Sequence, residues 1–141
     1  VIVGIGVDMV DSRGFAKSIE RFGSRFLSRI FTDAEQAQAA GRADTALYYA
    51  KRFAAKEAIY KALAASGIDG LGWRDADIGN TERGAPVVTL TGACKTALER
   101  LTPDGYNPVI SISLSDEPPH ALAFVVLSVD RPRESEPGNS A

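Results

Sequence analysis

One helix does most to limit what this chain can fold into. Residues 45–66 hold no proline and no glycine, open after Asp44 or Thr45, and stop at Gly67. At 100° per residue, Tyr48, Tyr49, Phe53, Ile59, Tyr60 and Leu63 sweep a broad apolar arc. Two cations interrupt it: Arg52 falls between Ile59 and Leu63, and Lys56 between Leu63 and Tyr49. A cation there must snorkel to water or meet an anion, because an unpaired buried charge is prohibitively costly. A second, narrow stripe contains Ala50, Ala54, Glu57, Lys61 and Ala64. Small residues let another segment come close, so a strand carrying Asp8 can lie near Glu57.

The flanking segments supply the strands. IVGIGVDMV (2–10) alternates like a buried strand loosened by Gly4 and Gly6. It lacks the basic region and cleavage site of a signal peptide and is read as structure. Asp11 or Ser12 caps a helix in which Phe15, Ile19, Phe22, Phe26 and Ile30 recur at helical spacing, with a break expected at Gly23. Thr32 and Glu35 form a capping box for a short helix that ends at Gly41. After the glycine-rich loop 67–74 come a strand (76–80), the turn ERGAP (82–86), the strand VVTL (87–90) and a helix over 92–102 stopped before Pro103. PVISISLS (108–115) and HALAFVVLSV (120–129) read as a hairpin joined by DEPP, with Asp116 capping the turn before Pro118 and Pro119. The pattern is α+β, with one antiparallel sheet and one central helix. Residues 1–130 make a single domain, and the polar tail 131–141 is expected to be disordered.

Several function classes drop out early. No apolar run reaches the length of a membrane span, so no membrane partner is expected. One cysteine (Cys94) and one histidine (His120) cannot build a zinc cluster or an internal disulfide, and the free thiol suits a reducing, cytoplasmic compartment. No helix-turn-helix, KH or RNP pattern points to nucleic acid. The net charge of −2 predicts no partner, but local charge does. Arg13, Lys17, Arg21, Arg25 and Arg29 are spaced four apart, and only Asp11 and Glu20 oppose them between residues 11 and 31. Such a run is either a solvated helix face or a docking surface for an acidic partner.

The charged residues of the 45–66 helix also admit two readings. Glu57 and Lys61 form an i,i+4 pair in the favourable order, worth about 0.2–0.5 kcal/mol on an exposed face, and Arg52 and Lys56 can snorkel at the rim of the core. Alternatively, Asp8 and Glu57 are oxygen ligands for a hard divalent cation, with Arg52, Lys56 and Lys61 gathered around a polyphosphate.

Taken together, GIGVDMVDSR (4–13), RFAAKEAIYKAL (52–63), GAPVVTLTG (84–92) and SISLS…ALAFVVL resemble the holo-acyl-carrier-protein synthase type of 4′-phosphopantetheinyl transferase. The resemblance runs in order over residues 2–129. It implies transfer of the phosphopantetheine arm of coenzyme A to a serine of an acidic acyl carrier protein. Asp8 and Glu57 would bind Mg²⁺, and Lys61 would contact the reacting phosphate. It further implies a homotrimer with coenzyme A between subunits, one supplying the metal helix and the next the turn with Gly84 and Pro86. Arg52 and Lys56 would face the nucleotide end of coenzyme A or a subunit interface, with Ser115 close to the bound substrate. Arg13, Lys17, Arg21 and Arg25 would dock the carrier. One departure stands out: Asp116 occupies the position, after the S-x-S of the strand, where the family commonly has histidine, and there it would either reach the Mg²⁺ through a bound water or point away and cap the turn, the second being the favoured reading. His120 is expected to open the last strand as a structural residue. The competing readings are a coenzyme A or nucleotide-binding module without turnover and a basic adaptor for an acidic partner.

Overall fold

The computed structural model describes residues 1–133. Its elements run β1 (Ile2–Asp11), α1 (Ser12–Ile30), α2 (Asp33–Ala39), α3 (Thr45–Leu63), β2 (Ala76–Asn80), β3 (Pro86–Leu90), α4 (Gly92–Leu101), β4 (Asn107–Glu117) and β5 (His120–Asp130). The stop signals act as their chemistry dictates. Gly67 takes the left-handed conformation after a 3₁₀ turn that extends α3, and Thr32 and Glu35 close a reciprocal capping box on α2. Gly23 sits at φ 63° and ψ −146°, splitting α1 at a kink.

Two sheets form where one was expected. β1, β5 and β4 make an antiparallel sheet in that order, while β2 and β3 pair as a separate ribbon. The ribbon packs on α2, α3 and β4. The sequence of short strands did not reveal that the ribbon stays out of the main ladder.

The packing of β1 on α3 is dictated by two glycines. A methyl on Gly4 or Gly6 would drive into the backbone carbonyls of Ala62 and Ala58. Ala54, Ala58 and Ala62 are fully or almost fully buried along this contact. The close-approach stripe therefore passes through Ala58 and Ala62, and Ala64, expected to belong to it, is exposed. On β5, Ala121, Ala123, Val125, Leu127 and Val129 face the helix and are buried. The alternate residues Leu122 and Phe124, with Ile5, Val7 and Met9 of β1, stay exposed on the other face of the sheet.

The hairpin also corrects an expectation. Asp116 does not cap the turn: it lies within β4 opposite Ala121, and the turn itself is made by Pro118 and Pro119, joined by a cis peptide bond. β5 ends at Asp130, and the tail expected to be disordered falls outside the described residues from 134 onward. Arg131, just past the strand, donates to the Tyr106 hydroxyl at 2.6 Å.

Candidate active site

Strand periodicity and the two glycines aim Asp8. Gly4, Gly6 and Asp8 share the face of β1 turned to α3. Once the glycines have brought the backbones together, the carboxylate of Asp8 meets the helix near Glu57 and Lys61. Lys61 Nζ donates to Asp8 Oδ1 at 3.2 Å and to the Val7 carbonyl at 2.9 Å. Glu57 is half-buried, and its carboxyl is held above the ordinary range, first by burial and then by the negative charge of Asp8, with Lys61 opposing. Two hard carboxylates that repel one another beside a single ammonium fit magnesium, which takes one or two carboxylates and keeps water or phosphate oxygens for the rest. Among the described residues no cluster of three or more metal-ligating side chains exists, so a multi-ligand protein cage is not built here.

Arg52 and Lys56 both find partners within the chain. Lys56 is completely buried, and its ammonium pairs with Glu35 at 2.8 Å while donating to the Ala76 and Trp73 carbonyls at 2.5 and 3.0 Å. Glu35 in turn accepts from the Thr32 and Ile78 amides at 2.8 and 3.0 Å. Burial pushes the Lys56 ammonium down, and Glu35 opposes that shift. Enclosed by partners of its own chain, Lys56 cannot reach a coenzyme A phosphate. Arg52 is 3% exposed and lies over the Tyr48 ring at 4.6 Å. With the Asn80 amide turned so that its oxygen faces the guanidinium, Arg52 donates to it at 2.8 Å. Both cations thus meet groups inside the chain and do not snorkel, although the buried Arg52 Nε is left without a hydrogen-bond partner. The pairing of Lys56 with Glu35 was not legible in the sequence. The capping box pinned the place of Glu35 in the chain, but nothing local showed that α2 packs beside α3.

The other expected site residues lie elsewhere. Gly84 (φ 85°) and Pro86 sit in the β2–β3 connection, on the ribbon. Ser115 is on the sheet face turned away from α3, opposite Leu122. Asp116 faces the helix side and pairs with Lys51 at 3.0 Å. Since β5 separates β1 from β4, Asp8 and Asp116 stand on opposite edges of the sheet, two strand spacings or about 10 Å apart across it.

All five cations of the α1 stripe are exposed, but they do not form one continuous row. The break at Gly23 separates Arg25 and Arg29 from Arg13, Lys17 and Arg21. Arg13 is held by Asp11, which caps the helix and accepts from the guanidinium at 2.7 Å; that contact brings the Asp11 carboxyl down to about 2. Arg25 and Arg29 instead flank a groove of about 330 Å³ floored by Phe22 and Phe26. Phe22, expected on the core face, is 56% exposed because the kink follows it directly.

A family model described as the 4′-phosphopantetheinyl transferase superfamily matches residues 4–123. The chain is 48% identical over 130 residues to the holo-[acyl-carrier-protein] synthase of Azorhizobium caulinodans, covering 92% of this chain and 96% of that protein. Its structure is similar to that of the holo-[acyl-carrier-protein] synthase from Neisseria meningitidis, with a TM-score of 0.78, 36% identity and coverage of 91% and 99% of the two chains. It is also similar to the Helicobacter pylori enzyme solved in complex with coenzyme A, with a TM-score of 0.71, 28% identity and coverage of 88% and 99%.

Proposed function

The chain belongs to the 4′-phosphopantetheinyl transferase superfamily, and from that premise we propose that it is a magnesium-dependent holo-[acyl-carrier-protein] synthase of the cytoplasm. It moves the 4′-phosphopantetheine arm of coenzyme A onto a serine of an apo-acyl carrier protein. The observation that carries this reading is the convergence of Asp8, Glu57 and Lys61, drawn together by the glycine contact between β1 and α3. A coenzyme A-binding module without turnover has no need of two carboxylates beside a pyrophosphate.

In the reaction, the carrier serine oxygen bonds to the pantetheine-side phosphorus as the bond from that phosphorus to the bridging oxygen breaks. The serine proton is lost, and adenosine 3′,5′-bisphosphate leaves with the bridging oxygen. Asp8 and Glu57 would hold Mg²⁺, which supplies charge neutralisation at the phosphates when bound. Lys61 adds a fixed positive charge where negative charge builds on the leaving oxygen. In-line phosphoryl transfer needs positioning and charge more than a nucleophilic side chain, so a Ser-His pair is not required.

The working unit is a homotrimer. Asp8 and its partners line the β1 edge of the sheet, whereas Asp116 lies on the β4 edge, with the Gly84–Pro86 turn on the ribbon that packs against β4. A head-to-tail ring sets one copy's β1 edge beside the next copy's β4 edge and completes a site at each junction. The apolar outer face of β1 and β5 then has a partner to cover it. Exposed cations of α1, with the Phe22–Phe26 groove beside them, receive the acidic carrier. Incubating the protein with apo-carrier, coenzyme A and Mg²⁺ tests the activity directly. The expected result is a carrier mass gain of one phosphopantetheine that disappears when EDTA is added; no gain under any Mg²⁺ concentration would refute it.

A further inference from the structure

Residues 72–76 join two parts of the chain that the transferase reading uses separately. On one side they are bound to α3. Lys56 donates to the Trp73 carbonyl at 3.0 Å and to that of Ala76, and the Tyr60 hydroxyl donates to the Gly72 carbonyl. The Trp73 ring lies 5.1 and 5.0 Å from those of Phe53 and Tyr60. Lys56 and Tyr60 each directly precede one of the two α3 members of the site, Glu57 and Lys61. On the other side the segment reaches α1 and α2 through one side chain. Arg74 Nη1 donates to the Ser28 carbonyl at 2.8 Å, and Nη2 to Asp33 Oδ1 at 3.1 Å. Ser28 lies in the last turn of α1, where carbonyls lack partners within the helix, and the Thr32 amide four residues on is given to Glu35. Asp33 opens α2. One guanidinium thus closes the end of one helix and meets the start of the next, with a cation and an anion where each helix dipole favours them.

The break in α1 gives this contact its weight. Gly23 sits at φ 63° and ψ −146°, a backbone open to glycine alone, so residues 24–30 do not take their direction from the first half of the helix. They carry Arg25, Arg29 and one wall of the Phe22–Phe26 groove. Phe26, Ile30 and Phe31 pack this half down on the core, and the fork of Arg74 fixes its far end.

We propose that Arg74 is a positioning residue for the transfer. Its fork sets residues 24–30, which receive the carrier, against the segment bound to Lys56 and Tyr60, and so aligns the carrier serine with the phosphates at Glu57 and Lys61. The inference rests on the transferase reading of those two sites, and it adds a residue that touches neither substrate. The serine oxygen must approach in line with the breaking bond, and a displacement of about 1 Å can lower the rate about 100-fold. Arg74 is 43% exposed and Asp33 95%, and an ion pair so open to water contributes little to stability. Loss of the fork should therefore show in the rate and leave the fold standing.

The test is transfer kinetics of Arg74→Met, Arg74→Lys and Asp33→Asn, with kcat expressed per coenzyme A-binding site counted by equilibrium titration, so that an unfolded fraction does not enter. We expect Arg74→Met to lower kcat about tenfold or more, with the KM for each substrate within about twofold. Arg74→Lys keeps the charge but not the fork and should lose nearly as much. Asp33→Asn loosens one arm of the fork and should lower kcat by a smaller factor. Amide hydrogen exchange should quicken over residues 24–31 in Arg74→Met and stay as it was in β1 and α3. Direct contact between Arg74 and an acidic carrier predicts a different pattern. Arg74→Met would then raise the carrier KM, Arg74→Lys would restore it, Asp33→Asn would lower it, and kcat would not move. That pattern overturns the proposal, as does a kcat within about twofold in Arg74→Met or unchanged exchange over 24–31. If the unmodified protein yields no mass gain on carrier, the transferase reading fails and the inference with it; if it does and kcat holds in the variants, only the role of Arg74 fails.

Discussion

Glu57 carries the most information of any single side chain. Burial and Asp8 hold its carboxyl above the ordinary range. A native pKa above the unfolded one means that the folded state binds the proton more tightly. The stabilising contribution of that proton is complete below the unfolded pKa and is lost as the pH rises through the folded one. With Glu57 as a proposed Mg²⁺ ligand, a proton and the metal would compete for the same oxygens, so the Mg²⁺ needed for half-maximal transfer should rise as the pH falls through the raised pKa. Asp8→Asn should bring the Glu57 pKa down and Lys61→Met should push it up, read from side-chain carboxyl ¹³C shifts in metal-free protein. A Glu57 titration indifferent to Asp8→Asn would mean that the two carboxylates are not a joint site. For the reaction itself, Asp8→Ala or Glu57→Ala should each cost at least about 100-fold in kcat, since a bound metal contributes several kcal/mol to transition-state charge stabilisation. Near-normal turnover in either variant at ordinary Mg²⁺ would remove that residue from the site.

At the scale of elements, local signals in the sequence resolved well and long-range pairing did not. The capping box, the Gly67 stop, the Gly23 break and the strand at 76–80 were all legible, because each depends on residues within a few positions. The close approach of Asp8 to the α3 helix was legible in part, from the small residues of the helix, but the alanines that make the contact, Ala58 and Ala62, and the role of Gly4 and Gly6 in it were not. The partner of Lys56 was not, since Glu35 reaches it only through the docking of α2 against α3 and β2. Lys56→Met leaves the Glu35 carboxylate buried without its countercharge and should cost about 3–5 kcal/mol in chemical denaturation. Glu35→Gln combined with Lys56→Met removes the buried charge, keeps an acceptor oxygen for one of the Thr32 and Ile78 amides, and should cost less than Lys56→Met alone. A double variant less stable than the single would show that the loss is one of packing and not of charge. The kink in α1 likewise divides what periodicity joined. Arg21→Glu and Arg25→Glu should each raise the carrier KM more than Arg13→Glu does, because Asp11 already occupies the Arg13 guanidinium. The rate at low carrier concentration should also fall with added salt, as screened charges steer docking less. A carrier KM unchanged by all three reversals would reduce the stripe to a solvated face.

For the whole molecule, the outer face of the β1–β5–β4 sheet is the feature that a lone chain leaves unexplained. Met9 is 65% exposed and Phe124 42%, and Ile5, Val7 and Leu122 surround them. Burying such side chains is worth about 25 cal/mol per Å² of apolar surface, and several on each copy supply a driving force of several kcal/mol for assembly. In the proposed ring the same sheet would carry part of the site on each edge, which would bind assembly and activity to one another. Val7→Glu and Phe124→Glu place a carboxylate in the middle of the covered face without touching the α3 side, where Asp8, Ala123 and Val125 pack. A buried unpaired charge costs far more than the contact it replaces. Each variant should therefore elute as a monomer in size exclusion with multi-angle scattering, keep a native circular dichroism spectrum, and lose transfer activity at every coenzyme A concentration. Raising the protein concentration should recover part of the rate if the monomer is merely a weakened trimer. A monomeric variant with full activity would show that one chain holds a complete site, and the head-to-tail ring would have to be abandoned.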